Sequence, residues 1–446
     1  RRQRQMCIRD SFHDLHNKMY HEIVSYPDVV WENHGFEGRY AFENDEEIQA
    51  VRHIYTAFEE KLSVLAQVAE QSKAITRYSM QQWFLIHLCG RKLGEDEKDV
   101  TPELAASIDS LADKIFEEYN EIIKNYRNTI KGCIQSVTIE QNKQQIGGIL
   151  KNILDLLAWL GDKGVAIRDL KPDNLLVAGD QTRYPEFLNS TREYTIGLID
   201  VETAAVCDSV SSGDAQQPIL GGTPSYATPS HLVLNKVLDE LYGDVPRILC
   251  LQDWYAVIGM VYEVITGETL FHQTGKMIIG IKTALFKHVD SQRTRQELYK
   301  KASRMFWHNA STEITKKMKD KRDILSAVQV VIPDSAKQMF RQALNRQQKH
   351  TGNKIKHYVF NQRVFKGEKN CKTLIGASCR KITELKLNME KKQKHKTPGY
   401  SVLKGLEKVK QKAENQSQRI ELFGQETVII TAYDLMDAMF DIVMDE

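Results

Sequence analysis

Ten consecutive residues constrain this chain more than any other feature: Ile167-Arg168-Asp169-Leu170-Lys171-Pro172-Asp173-Asn174-Leu175-Leu176. They follow a helical stripe of Ile146, Ile149, Leu150, Ile153, Leu154, Leu157 and Leu160, which Gly161-Asp162-Lys163-Gly164 stops. They lead into Leu175-Leu176-Val177, a strand-like run. A second such run, Thr195-Ile196-Gly197-Leu198-Ile199, comes after a polar, turn-rich connection over 178–194. The chain therefore passes from helix to tight charged loop to hairpin. Pro172 and the shortness of the loop keep Asp169 and Asn174 pointing into one cleft.

The run resembles the catalytic loop of the eukaryotic-like serine/threonine protein kinase family, whose pattern is His-Arg-Asp-x-x-x-x-Asn. The resemblance implies that Asp169 accepts the proton of an attacking hydroxyl and Lys171 neutralises the transferring phosphoryl group. It implies that Asn174, five residues after the aspartate, binds magnesium and the nucleotide phosphates. An ordinary charge-rich turn would not match over so long a run. Further matches follow in the family's order. Thr195 to Glu202 resembles the strand entering the Asp-Phe-Gly motif, making Asp200 the second magnesium and nucleotide ligand. Gly222-Thr223-Pro224-Ser225-Tyr226-Ala227-Thr228-Pro229-Ser230 resembles the segment that ends the activation loop. Asp253-Trp254-Tyr255-Ala256-Val257-Ile258-Gly259, with Tyr262-Glu263 and Thr266-Gly267, resembles the buried helix that anchors the catalytic loop. There Asp253 is expected to hold the loop's backbone, since a buried carboxylate needs such partners. Arg168 is expected to pair with a phosphate on the 203–223 loop, at Ser209, Ser211, Ser212 or Thr223. Thr223 has a second role open to it, a hydroxyl contact with the catalytic loop.

The chain departs from the family at four places. Ile167 stands for its histidine and Val201 for its phenylalanine, an aliphatic pair that would preserve packing between the two. Glu202 replaces a glycine, which removes a permissive backbone position. Ser230 replaces a glutamate, so that residue's usual ion pair with arginine is absent. No Gly-x-Gly-x-x-Gly and no Val-Ala-x-Lys strand precede residue 150. Lys18 is the only lysine before the helix that Asn44-Asp45-Glu46-Glu47 starts, and Glu59 or Glu60 on that helix would be the partner of a nucleotide-clamping lysine. The expectation is a divergent, N-terminally truncated member whose chain, as given, binds Mg-ATP weakly.

The rest of the chain is read more coarsely. Trp83-Phe84-Leu85-Ile86 reads as a short buried strand. Thr101-Pro102-Glu103 starts a long helix to about residue 128, and another runs over 141–160. Residues 207–225 form a long exposed loop, the pattern from 249 is helical, and 431–444 is a terminal amphipathic helix. The formal net charge of +2 conceals asymmetry: residues 341–420 hold 21 Lys and Arg against 5 Asp and Glu, a net +16, leaving about −14 elsewhere. That stretch reads as a basic appendage open to an acidic or nucleic-acid partner, although a solvated helical surface accounts for it too. Seven cysteines without Cys-x-x-Cys signal neither a disulfide framework nor a zinc site, and Cys371 and Cys379 lack nearby histidine pairs. Gly275-Lys276 lacks the spacing of a phosphate-binding loop. The most apolar stretch, 249–265, is broken by Gln252, Asp253 and Glu263, so no membrane span or signal peptide is expected, and the expected location is cytoplasmic.

These readings define an α+β, protein-kinase-like fold. Residues 1–11 read as a leader foreign to the fold, and 12–100 as a diverged or partial small lobe. Residues 101–335 read as a mainly helical large lobe, with the clear resemblance over 145–275, and 336–446 as a basic helical extension. The expected activity is ATP- and Mg2+-dependent phosphoryl transfer to Ser or Thr of protein substrates. The alternative is a pseudokinase, a scaffold without catalysis. A third reading, a kinase for small molecules, fits less well because the Gly222-Thr223-Pro224 segment looks like a platform for protein substrates.

Overall fold

The computed structural model describes residues 6–7, 45–68, 76–88, 92–93, 101–183, 186–206, 222–287, 292–361, 368–392, 394 and 397–444. Lys18 and the loop residues Ser209, Ser211 and Ser212 lie outside them. The described chain is mainly helical with seven short strands, an α+β structure, and it divides into two compact units, 9–142 and 143–446 joined by 1–8.

In the 9–142 unit the described elements are α1 (Asp45–Val68), α2 (Arg77–Leu88), α3 (Pro102–Glu118) and the first part of α4 (Asn120–Asp162). Trp83 to Ile86 therefore lie in a helix rather than a strand. Four consecutive apolar side chains carry no period, and here α2 packs against both α1 and α3, with Trp83 and Phe84 buried and Ile86 partly so. Helix α3 starts at Thr101, whose hydroxyl accepts from the Leu104 amide with Pro102 behind it, a cap worth about 1 kcal/mol. Its buried stripe, Leu104, Ala105, Ile108, Ala112 and Ile115, joins the core of α1, built on Ile54, Phe58 and Leu62. That shared core carries the unit past residue 100 to Asn142. The helical break falls at Tyr119, and α4 then runs unbroken through 129–140, where the sequence suggests a gap. Among the described residues 9–142 contains no strand.

The 143–446 unit is organised by α6 (Val245–Thr266), preceded by α5 (Asn235–Tyr242). Asp244 caps α6 by accepting from the Arg247 amide, Pro246 occupies its first turn, and Gly267 ends it at φ +68°. Its apolar residues surround the helix, so it is buried on every side. It is the one described helix long and apolar enough to cross a membrane, and 83% of that apolar window is buried inside the protein. Rings pack around it: Tyr255 stacks on Phe271 at 4.3 Å, and Trp254 meets Phe340 edge-on at 5.2 Å. Helices α7 (His272–Lys287), α8 (Gln292–Asp320) and α9 (Arg322–Ala327) follow.

Strands β3 (Leu175–Gly179) and β4 (Tyr194–Leu198) form the expected hairpin, with Leu175 opposite Leu198 and Gly179 opposite Tyr194. The outer strand β1 (Met6–Cys7) adds to β3, and β2 (Val165–Ala166) pairs with β5 (Ala205–Val206). The basic region is not a separate appendage. Helix α10 (Asp334–Phe360) brings Phe340 against Trp254 and Phe423, and α11 (Glu368–Gly376), α12 (Cys379–Lys391) and α13 (Pro398–Leu422) form a satellite core with it around Ile355, Val359, Ile382 and Leu406. The chain then returns: β6 (Gln329–Val331) pairs with β7 (Ile429–Thr431), and α14 (Ala432–Val443) packs on α6. Thr431 caps α14 through the Asp434 amide.

Candidate active site

The loop between β2 and β3 is held from beneath by Asp253, in the middle of α6. Its carboxylate accepts from the backbone amides of Ile167 at 2.8 Å and Arg168 at 2.7 Å. Burial pushes this carboxyl up to about 7, against the two amide bonds and the Arg168 charge, which hold it down. The loop then turns through Arg168 at φ +69°, and the 3-10 turn Pro172–Asn174 delivers it to β3.

Around Arg168 runs a closed circuit of buried hydrogen bonds. Arg168 Nε donates to Gln252 Oε1 at 3.2 Å, and Gln252 Nε2 donates to Ser230 Oγ at 3.0 Å. Ser230 and Thr228 hydroxyls lie 2.7 Å apart. The Thr228 amide donates to His231 Nδ1 at 3.0 Å, and His231 Nε2 donates to the Arg168 carbonyl at 2.9 Å. A carbonyl partner at Nε2 and an amide partner at Nδ1 select the neutral imidazole with its proton on Nε2. Burial, helped by the nearby Arg168 charge, drives this histidine down to about 3. Ser230, where the resembling family has glutamate, is thus a neutral link in the circuit. Neither Gln252 nor His231 belongs to any of the quoted motifs, and their only signal is adjacency to Asp253 and Ser230. Arg168 is 2% exposed, and its Nη1 and Nη2 have no partner among the described residues. Burial lowers its affinity for its proton, and Asp253 offsets part of this.

On the other side of the loop four candidate residues converge. Asp169 Oδ1 accepts from the Thr223 amide at 2.8 Å and the Thr223 hydroxyl at 3.1 Å. Its Oδ2 accepts from Lys171 Nζ at 3.1 Å and Asn174 Nδ2 at 3.3 Å. Lys171 Nζ also reaches the Thr223 hydroxyl at 3.2 Å. A threonine hydroxyl therefore sits with a carboxylate and an ammonium both within hydrogen-bond reach, the arrangement a general base needs around the hydroxyl it activates. Gly222, at φ +147°, lets the chain pass Arg168's carbonyl and deliver Thr223. Gly275 on α7 meets the Pro224-Ser225 backbone so closely that a Cβ would lie 3.0 Å from it; this glycine is a packing contact and not part of a phosphate loop.

Asp200 stands two residues past the end of β4. The Ile199 amide donates to the Asn174 carbonyl at 3.0 Å, which sets Asp200 one residue beyond the partner of Asn174. Asp200 has φ +60°, and with Arg168 it completes the set of described non-glycine residues at positive φ. Such backbones cost about 1–3 kcal/mol and concentrate at functional sites. Asn174 turns its Nδ2 to the Asp169 carbonyl at 2.9 Å, so its Oδ1 points the opposite way. An amide oxygen and the exposed Asp200 carboxylate are hard oxygen donors of the kind magnesium takes alongside phosphate and water. Among the described residues no cluster of three acids, histidines or cysteines gathers, and the pair fits a cation shared with a nucleotide better than an all-protein cage.

The aliphatic pair expected at Ile167 and Val201 does not form an enclosed contact. Ile167 is buried, but Val201 is 52% exposed. It opens a turn closed by the Ala204 amide on the Val201 carbonyl, while Thr203 Oγ1 takes the Ile167 carbonyl instead. Tyr226 hydroxyl donates to Glu263 on α6, a second tie between the post-loop segment and the core helix. No protein-family model matches this chain, and no curated protein matches it.

Proposed function

We propose that this protein transfers the γ-phosphoryl group of ATP to serine or threonine hydroxyls of proteins, on a protein-kinase-like fold. The observation that carries the reading is the Thr223 hydroxyl between Asp169 and Lys171. In this reading a substrate hydroxyl takes that position. Asp169 Oδ1 accepts its proton as the oxygen attacks, and Lys171 offsets the negative charge that develops beside it. Asn174 and Asp200 would hold Mg2+ against the phosphates; bound, the ion supplies neutralisation of phosphate charge. The loop's fixed backbone, pinned by Asp253, keeps Asp169 and Asn174 oriented before substrate arrives. Arg168's idle guanidinium nitrogens suit a phosphate on the 203–223 loop, the dianion that would complete a buried cation's partners.

The test is phosphate incorporation from labelled ATP into a mixed protein substrate, with Asp169→Asn beside the wild type. Activity that survives the substitution removes the proposal. A specific observation favours a second reading, the non-catalytic scaffold: the described part of 9–142 is helical, without a strand to cover a nucleotide. Calorimetry separates the two, because the scaffold predicts no magnesium-dependent ATP binding and no loss of it in Asp200→Ala.

A further inference from the structure

The longest uninterrupted run of one charge sign begins on α10, which holds six of its eight cations. Between Asp334 and Glu368 the chain has eight Lys and Arg and no acid. The buried stripe of α10, Phe340, Leu344, Gln347, Thr351, Ile355 and Val359, recurs every three or four residues, so the helix has a true outer face. That face exposes Arg341, Arg346, Lys349, Lys354 and Lys356. Among the described residues none of these five forms an ion pair. Elsewhere in the same region some cations are paired within the protein: Lys386 meets Glu407 at 2.6 Å and Arg419 meets Asp437 at 2.6 Å. Even Lys337, on the inner side of α10, is paired with Asp334 at 2.6 Å. What sets the outer face of α10 apart is that beyond Asp334 it carries no acid, whereas a merely solvated helix would intersperse both signs.

The residues between the cations are also selective. Gln338, Gln342, Asn345 and Asn353 are exposed on the same face, and each offers an amide donor and acceptor together. Arg346, Lys349 and Lys356 lie within about 80° of one another around the axis and span about 15 Å along it. We infer that the outer face of α10 docks into the major groove of duplex DNA, its cations on the phosphates and its amides toward the base edges. Shape decides between polyanions. A helix face is convex, and a groove about 12 Å wide admits it, whereas the major groove of duplex RNA is too narrow and a single strand needs a concave channel. An acidic peptide would use the cations and leave the four amides without a purpose.

The experiment measures fluorescence anisotropy of a labelled 20-base-pair DNA duplex titrated with the full chain, from 50 to 200 mM salt. Binding at about 10 μM or tighter is expected at 50 mM, weakening steeply with salt. The triple variant Arg346→Gln, Lys349→Gln, Lys356→Gln keeps helix-forming side chains and touches neither the core nor the candidate active site. It should bind roughly tenfold or more weakly and reduce the slope of log affinity against log salt by about 2 to 3. Circular dichroism melting of the variant, expected unchanged, keeps loss of binding separate from loss of fold. Absence of wild-type binding, an unaltered salt slope in the folded variant, or tighter binding of one separated strand or of polyglutamate would each overturn the inference.

Discussion

The two sides of the 167–176 loop are built on opposite principles. Beneath it, Asp253 holds the backbone, and Arg168, Gln252, Ser230, Thr228 and His231, all almost fully buried, close a ring of hydrogen bonds. Above it, Asp169 and Lys171 keep 13% and 22% of their side chains open to solvent, and every contact they make is among candidate catalytic groups and Thr223. A ring of fixed polar partners gives rigidity, because breaking one link orphans another. An open carboxylate–ammonium pair gives reactivity, because its partners can be exchanged for substrate. The difference teaches that one loop separates the cost of position from the chemistry, so the two should fail in different ways.

The largest separation is expected between Asp169 and Asp253. Asp169→Asn should lower the phosphoryl-transfer rate by about 10^2 to 10^4, the range of a lost general base, and leave thermal unfolding nearly unchanged. Asp200→Ala should lose activity comparably and should also lose the magnesium dependence of ATP binding. Asp253→Ala leaves two buried amides without an acceptor, and should cost about 2–5 kcal/mol of stability, read from urea unfolding. A large stability loss at Asp169, or none at Asp253, would erase the distinction between the two sides.

How far the sequence reveals this can be argued residue by residue. The contact from Asp253 to the loop was legible through the resemblance, and an acid buried in an apolar helix gave the physical reason that it needs partners. The hairpin 175–198 was legible from two short apolar runs around a polar connection. The buried circuit was not: Ser230 reads only as a missing acid, and nothing local marks His231 or Gln252 as its neighbours across 63 and 84 positions from Arg168. The return of the chain end was equally hidden, since Gln329 opposite Thr431 is a pairing across the whole basic region. Charge composition suggests an appendage there, while the rings that tie it down, Phe340 and Phe423, stand at its two edges with no local mark that they stack on each other.

Arg168 tests the buried side at smaller scale. Its guanidinium is enclosed with two nitrogens unpaired, so Arg168→Met removes a costly charge and orphans Gln252 Oε1. Each of these effects is worth about 1–3 kcal/mol and they oppose one another, so the net change in urea stability should be about 1 kcal/mol or less. Phosphorylated protein should behave differently. If the 203–223 loop carries phosphate, its removal by phosphatase should destabilise the wild type and leave Arg168→Met unaffected. Intact-mass and peptide mass spectrometry of active protein should locate phosphate between 203 and 225; its absence there would remove this form of control.

In the wild-type protein the smallest net effect concerns pH, because two groups beneath the loop, Asp253 and His231, oppose each other. Asp253's carboxyl is raised to about 7, above its unfolded value near 4, so from pH 4 to 7 the folded state holds a proton that the unfolded state has lost. Stability from this group is fully present below pH 4 and falls as pH rises. His231 is lowered to about 3, below its unfolded value near 6.5, so between pH 3 and 6.5 the unfolded state binds the extra proton. Stability from this group is fully present above pH 6.5 and is lost as pH falls. Between about pH 4 and 6.5 the two proton counts cancel, and the two groups together contribute little net slope. His231→Gln leaves Asp253 alone, and stability relative to wild type should then fall with rising pH by up to about 1.4 kcal/mol per unit. Asp253→Asn leaves His231 alone and should reverse that sign. Urea midpoints of the three proteins at pH 4.5, 5.5 and 6.5 read the differences directly, with all other titrating groups common to them. Parallel curves would mean that neither group titrates as its burial requires, and that the ring beneath the loop is more open to water than the side above it.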